Sequence, residues 1–228
     1  MLVTDAVWLS ETLARFSTKE LSPLVNLGSS TRQFREHDQP HIHRLIFAPL
    51  EARGVKIIHC DLKAADGVDV AGDIFDDAVL AKLHATGAKS LLCTHMFEHV
   101  LDRDALARRI LEILPQGGLF FVTVPKSYFH HADPLDTMFR PNPKELAALF
   151  PGQDILEGKV LVGGSYRDRF RERPVTLFFR HFLRFVFPTF WTAGWKRSMA
   201  KLYWLVHPYE VSAIVGRKNP TPALRYSP

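Results

Sequence analysis

Cysteine is nearly absent from this chain: Cys60 and Cys93 are the two in 228 residues, and each lies near the end of an apolar run. That excludes a disulfide framework and leads us to expect buried thiols in a reducing, cytosolic compartment. Long apolar runs are missing too, and a spanning helix would need about 20 such residues in succession. The opening stretch MLVTDAVWLSETLARF has acids in place of a basic region followed by an apolar core, so a secretory signal is not expected. Internal repeats and low-complexity tracts are absent. The formal charge of +5 does not spread into a basic groove. Residues 170–209 hold seven cations (Arg171, Arg173, Arg180, Arg184, Lys196, Arg197 and Lys201) against Glu172 alone, which is +6 and leaves the remainder at −1. A main body so nearly neutral argues against a nucleic-acid partner.

What the sequence does contain is alternation. With 46% apolar residues the chain can bury one substantial core. Short apolar, β-branched runs predict strands at 23–27, 55–60, 68–72, 90–94, 118–124, 155–162 and 210–216. Helical patterns separate them at 41–53, 76–86, 102–114 and 143–150, and Thr4 or Asp5 is placed to cap an N-terminal helix with Trp8, Leu9, Leu13 and Phe16 turned inward. The β-α-β order predicts an α/β fold: a Rossmann-like, seven-stranded, mostly parallel sheet with helices on both faces. Any ligand is expected at the carboxyl ends of the strands, near the switch point. In ILPQGGLFFVTVPK, Gly117 and Gly118 supply the turn after a helix, and a buried strand follows that Pro125 is expected to stop. The polar loop beyond it, SYFHHADPLDTMFRPNP, leaves the carboxyl end of a central strand.

The stretches CTHMFEHV and PQGG, in this order of elements, resemble those of class I S-adenosylmethionine-dependent methyltransferases, in particular the methyltransferase type 11-like group. The resemblance runs over about residues 23–150, with YEVSAIVGRK similar to the last, antiparallel strand. One methyltransferase-like domain is expected: an N-terminal helix (1–20), a Rossmann-like core (21–164), an aromatic and basic helical insertion (165–208) that falls outside the resemblance, a last strand (209–217) and a tail (218–228). The resemblance implies S-adenosyl-L-methionine as cofactor. In that family the first strand leads to an acid and then glycines spaced by two, where the backbone passes close to the methionine part of the cofactor. This chain has Asn26, Gly28, Ser29, Ser30 and Arg32 there. Gly28 keeps the sharpest position, the serines are small donors, and Asn26 can accept a hydrogen bond from an ammonium group. The resemblance also implies that Asp61 bridges the ribose hydroxyls, that Asp73 holds the adenine amino group, and that His95 to Phe97, with Met96 between them, line the cofactor from the other side.

Several residues admit two readings. Asp61 is either a ligand carboxylate or a solvent-facing strand end. In HHADPLDTMFR, His131 with Asp133 or Asp136 can form a base and its orienting partner. Equally, Asp136 can pair with Arg140 across one turn. HMFEH has the H-x-x-E-H spacing of a zinc site, but the strand up to His95 puts the two histidines across a strand-to-helix turn and not on one helical face. His37, His41 and His43 lack a cysteine or acid at ligand spacing, so no metal is expected. Residues 170–209 hold 12 of the 26 aromatics. This is either an amphipathic segment in peripheral contact with an anionic membrane or a lid or dimer surface whose Arg and Lys stems cover the edges. The expected activity is methyl transfer to a small-molecule, glycan or lipid-linked acceptor; the rival is an inactive methyltransferase-like scaffold.

Overall fold

In the computed structural model, which describes residues 1–130, 135–186 and 192–219, seven strands form one sheet in the order β3-β2-β1-β4-β5-β7-β6. They are β1 Leu24–Leu27, β2 Ile57–Asp61, β3 Val70–Ala71, β4 Ser90–Thr94, β5 Leu119–Ser127, β6 Asp154–Val162 and β7 Glu210–Arg217. The first five run parallel, and β7 lies antiparallel between β5 and β6. Alternate residues feed opposite faces. Val25, Cys93, Phe120, Val122 and Ile214 enter one apolar cluster, while Leu24, Leu92, Phe121, Ala213 and Val215 enter another. A sheet covered on both faces explains why its central strands read as continuous apolar runs. The close packing shows at Gly216, where a Cβ would stand 2.0 Å from the Phe120 ring.

The helices are α1 Val3–Ala14, α2 Thr18–Leu21, α3 Pro40–Ile42, α4 Ala48–Ala52, α5 Asp77–Ala85, α6 Arg103–Ile113, α7 Pro143–Ala147, α8 Tyr166–Glu172, α9 Pro174–Val186 and α10 Thr192–Tyr203. Asp76 and Asp102 cap α5 and α6 through the backbone N–H groups of Ala78 and Ala105. Asn142 caps α7, whose Glu145 carboxylate accepts in return from the Asn142 N–H.

Four expectations need correction. Neither Thr4 nor Asp5 precedes α1; the helix begins at Val3, and the Asp5 carboxylate in its first turn accepts from Leu2 N–H at 3.0 Å. Helical structure expected from residue 41 already begins with the π-turn Phe34–Asp38, which starts as Thr31 Oγ1 accepts the Phe34 N–H. The same stretch widens again at His43–Phe47, just ahead of Pro49, which has no N–H for a regular ladder. Pro125 does not stop β5: the strand passes it to Ser127 because β7 still pairs there, with a bulge between Pro125 and Ser127 taking up the missing donor. Helix α7 ends at Ala147, short of residue 150, and Phe150 instead closes a turn onto the Ala147 carbonyl.

Candidate functional site

Strand order reverses between β1 and β4, and a cavity of about 710 Å3 opens at the carboxyl ends of β1 to β4. Asn26, Gly28, Ser29 and Ser30 reach it from β1, Asp61 from β2, Asp73 from β3, and His95 and Met96 from β4. These eight sequence-selected residues therefore line one cavity. Phe97 does not; it is fully buried in the core beneath.

The turn after β1 contains one glycine. Gly28 and Ser30 both take left-handed backbone, at φ 71° and 54°. A Cβ on Gly28 would come 3.5 Å from Met96 Sδ and narrow the gap between the tips of β1 and β4. The amides of this turn are engaged within the protein: Ser29 N–H donates to the Cys60 carbonyl at 2.9 Å, and Ser30 N–H to Asp61 Oδ2 at 2.7 Å. The carbonyls are held by a residue that sequence reasoning passed over. Arg35, buried at 5% exposure, donates to Ser29 O (3.0 Å), Ser30 O (2.6 Å) and Gly67 O (2.8 Å), tying this turn to the loop between β2 and β3. One guanidinium thus bridges the two loops at the edge of the cavity.

The polar groups around the cavity are mostly in pairs. Asn26 Nδ2 donates to His59 Nδ1 at 3.1 Å, which leaves its Oδ1 as the atom to offer a ligand. Burial, reinforced by the nearby Arg35 charge, lowers His59 to a pKa of about 4, so that ring is a neutral acceptor. Asp73 Oδ1 accepts from Phe75 N–H at 3.0 Å. Burial pushes the Cys60 thiol up to about 11 and raises Cys93 further, so neither is a nucleophile.

His95 is the most constrained group. It sits in left-handed backbone at φ 52°, its N–H bonded to Thr123 O at 2.8 Å. Its Nε2 donates to Asp5 Oδ2 at 2.8 Å, and its Nδ1 lies 3.6 Å from Glu98 Oε1. Asp5 and Glu98 are both fully buried. Burial alone would lower the pKa of His95, but the hydrogen bond to Asp5 and the nearby Glu98 carboxylate outweigh it and raise it to about 8. The imidazolium is thus held between two carboxylates at the cavity wall. Glu98 also lies 3.8 Å from His99 Nε2, and His99 Nδ1 contacts the Leu135 carbonyl. The two histidines of HMFEH bracket one glutamate across the strand-to-helix turn, and no group of three metal-ligating side chains is found among the described residues. Asp5 was legible in one respect: an acid on the same helical face as Trp8, Leu9 and Leu13. Arg35 carried no such mark.

A second, smaller cavity of about 280 Å3 adjoins the first and shares Met1 and His95 with it. Leu2, Gln39, Pro125, Tyr128, Phe129 and Val211 complete its wall. The rings of Tyr128 and Phe129 stack at 4.3 Å, and Tyr209 leans on Tyr128 at 4.8 Å. Of the loop residues selected from the sequence, His131 and Asp133 lie outside the described residues. Asp136 is buried, accepts from Arg140 Nη2 at 2.6 Å and from Met138 N–H at 2.9 Å, and lines neither cavity.

No protein-family model matches the chain, and no curated protein does. Solved structures do. Coclaurine N-methyltransferase, bound to N-methylheliamine and SAH, is 13% identical with a TM-score of 0.56, over 93% of this chain and 72% of that one. The [4+2]-cyclase SpnF is 15% identical with a TM-score of 0.53, over 94% and 81%. A candidate sarcosine dimethylglycine methyltransferase from Galdieria sulphuraria is 13% identical with a TM-score of 0.52, over 94% and 85%. This chain therefore has the Rossmann-like fold of class I S-adenosylmethionine-dependent methyltransferases. At these identities the likeness carries the fold alone, and the cyclase among these structures shows that the fold does not by itself select the reaction.

Proposed function

We propose that the chain is an S-adenosylmethionine-dependent methyltransferase with a small-molecule, glycan or lipid-linked acceptor. The observation that carries this reading is the one cavity that Asn26, Gly28, Asp61, Asp73 and His95 line together at the strand-order reversal. The residues fit the cofactor: Gly28 leaves space that a Cβ would fill, Asp61 would hold the ribose hydroxyls, Asp73 the adenine amino group and Asn26 Oδ1 the ammonium group. When bound, S-adenosylmethionine supplies an electrophilic methyl on a sulfonium sulfur. The protein's own contribution is orientation and exclusion of water, the larger part of what such a transfer needs.

The smaller cavity is the acceptor site in this reading, because it meets the larger one at His95. Its stacked rings favour an acceptor with an apolar or aromatic body. His95 keeps its proton between Asp5 and Glu98 near neutral pH, so it orients and is not the base. The base is assigned on sequence grounds to His131. Asp133 or Asp136 is its orienting partner, Asp136 also holding Arg140. The aromatic, basic insertion supports an acceptor displayed at a membrane surface, a glycan or a lipid-linked compound.

Calorimetry with S-adenosylhomocysteine tests the cofactor step. Micromolar binding, weakened at least tenfold in Asp61→Ala, is the expected result; no heat at millimolar ligand would leave the inactive-scaffold reading in its place. A screen of acceptors with labelled methyl donor then reads the transfer itself.

A further inference from the structure

Helix α9 wears its apolar stripe on the outside. Val175, Phe178, Phe179, Phe182, Leu183 and Val186 recur at helical spacing on one face, each 45–66% exposed, with Phe185 beside them at 64%. The face turned to the protein carries Leu177 and His181, both buried. His181 Nε2 meets the Tyr166 hydroxyl at 2.9 Å, and Tyr166 packs with Trp204 and Tyr209. That anchor fixes the helix with its stripe outward. At roughly half exposure of side chains worth 150–250 Å2 each, the stripe presents on the order of 600 Å2, at the upper end for a monomer's largest apolar patch.

The charges beside the stripe say what covers it. Arg173, Arg180 and Arg184 follow one another at seven and four residues along one flank, and Arg173, Arg180 and Lys196 are exposed. A second copy of this chain would bring the same cations and, over residues 170–209, one acid to meet them. A plane of anionic headgroups is complementary to both features at once. Thirteen residues make a helix about 20 Å long, short of the ~30 Å hydrocarbon core. Among the described residues no helix is long and apolar enough to cross a membrane. The geometry is that of a helix lying in the interface plane.

We propose that α9 docks this chain onto an anionic lipid surface, its stripe from Val175 to Val186 among the acyl chains and Arg173 and Arg180 at the phosphate level. The proposal does not depend on the methyl-transfer reading: a chain that binds no cofactor would dock equally well, and one that binds cofactor but no lipid would retain only the former.

Flotation of the full chain with phosphatidylcholine vesicles, with and without phosphatidylglycerol, at low and high salt, tests it. The expected result is capture by phosphatidylglycerol vesicles at low salt, reduced about tenfold or more in Phe178→Ser/Phe182→Ser and in Arg173→Glu/Arg180→Glu. Urea midpoints of both variants should match the parent, since all four side chains are exposed. Equal capture of parent and variants, or no capture at any composition, overturns the proposal. So does a concentration-dependent dimer that the phenylalanine variant dissolves, because the stripe would then be covered by a second copy.

Discussion

The tips of β1 to β4 and helix α9 invert the usual rule in opposite ways. At the strand tips charge is buried: Asp5 and Glu98 are fully enclosed beside His95, and Arg35 is nearly so against the turn after β1. On α9 large apolar side chains are exposed and the arginines flank them. The first arrangement is costly unless each charge has a partner: Arg35, His95 and Asp5 are hydrogen-bonded, while Glu98 has His95 and His99 only at ion-pair distance, 3.6 and 3.8 Å. The second costs the monomer apolar surface in water unless something covers it. Each departure is therefore a sign of a ligand or partner, small and polar at one end, extended and apolar at the other.

The contrast can be broken by substitution. Phe97→Ala, beneath the strand tips, removes a fully buried ring and should destabilise by about 3–5 kcal/mol in urea titrations, whereas Phe182→Ser on α9 should change stability by no more than about 0.5 kcal/mol. Arg35→Met should follow at about 2–3 kcal/mol, because it leaves the carbonyls of Ser29 and Gly67 without the guanidinium and the Ser30 carbonyl with only the Ser29 hydroxyl; the same variant should lose S-adenosylhomocysteine binding in calorimetry. A Phe182→Ser cost approaching that of Phe97→Ala would mean that α9 is packed in solution and the contrast is false.

The third effect sharpens the comparison through pH. His95 titrates near 6.5 when unfolded and near 8 when folded, so its pair with Asp5 and Glu98 stabilises fully below pH 6.5 and the benefit is lost as pH rises through 8. The gap corresponds to about 2 kcal/mol. Thermal melts should show that slope in the parent and not in His95→Gln; a parent curve flat between pH 6 and 9 would remove the buried imidazolium from this account.

The strands were legible because their signals are local. β4 occupies the expected residues 90–94, and β1, β2, β6 and β7 lie within two residues of expectation, since apolar runs between turns survive any arrangement of neighbours. β5 overran Pro125 because its partner β7, almost ninety residues later in the chain, keeps pairing there. The irregular helix from Phe34 was missed because π-turns have no simple apolar period. At the candidate site the residues selected at the ends of the first four strands line one cavity, but nothing in the sequence ties Arg35 to the turn after β1.

The amino-acid pattern by itself determined the α/β order, the two-faced core and which residues stand at the strand ends, since each depends on periodicity and on turn chemistry within a few residues. Folding alone decided that Asp5 reaches His95 across 90 positions, and that α9 turns Leu177 and His181 inward and its phenylalanines outward. An amphipathic helix can bury either face; which one it buries is set by the neighbour it meets, here Tyr166, and that neighbour is a property of the assembled chain.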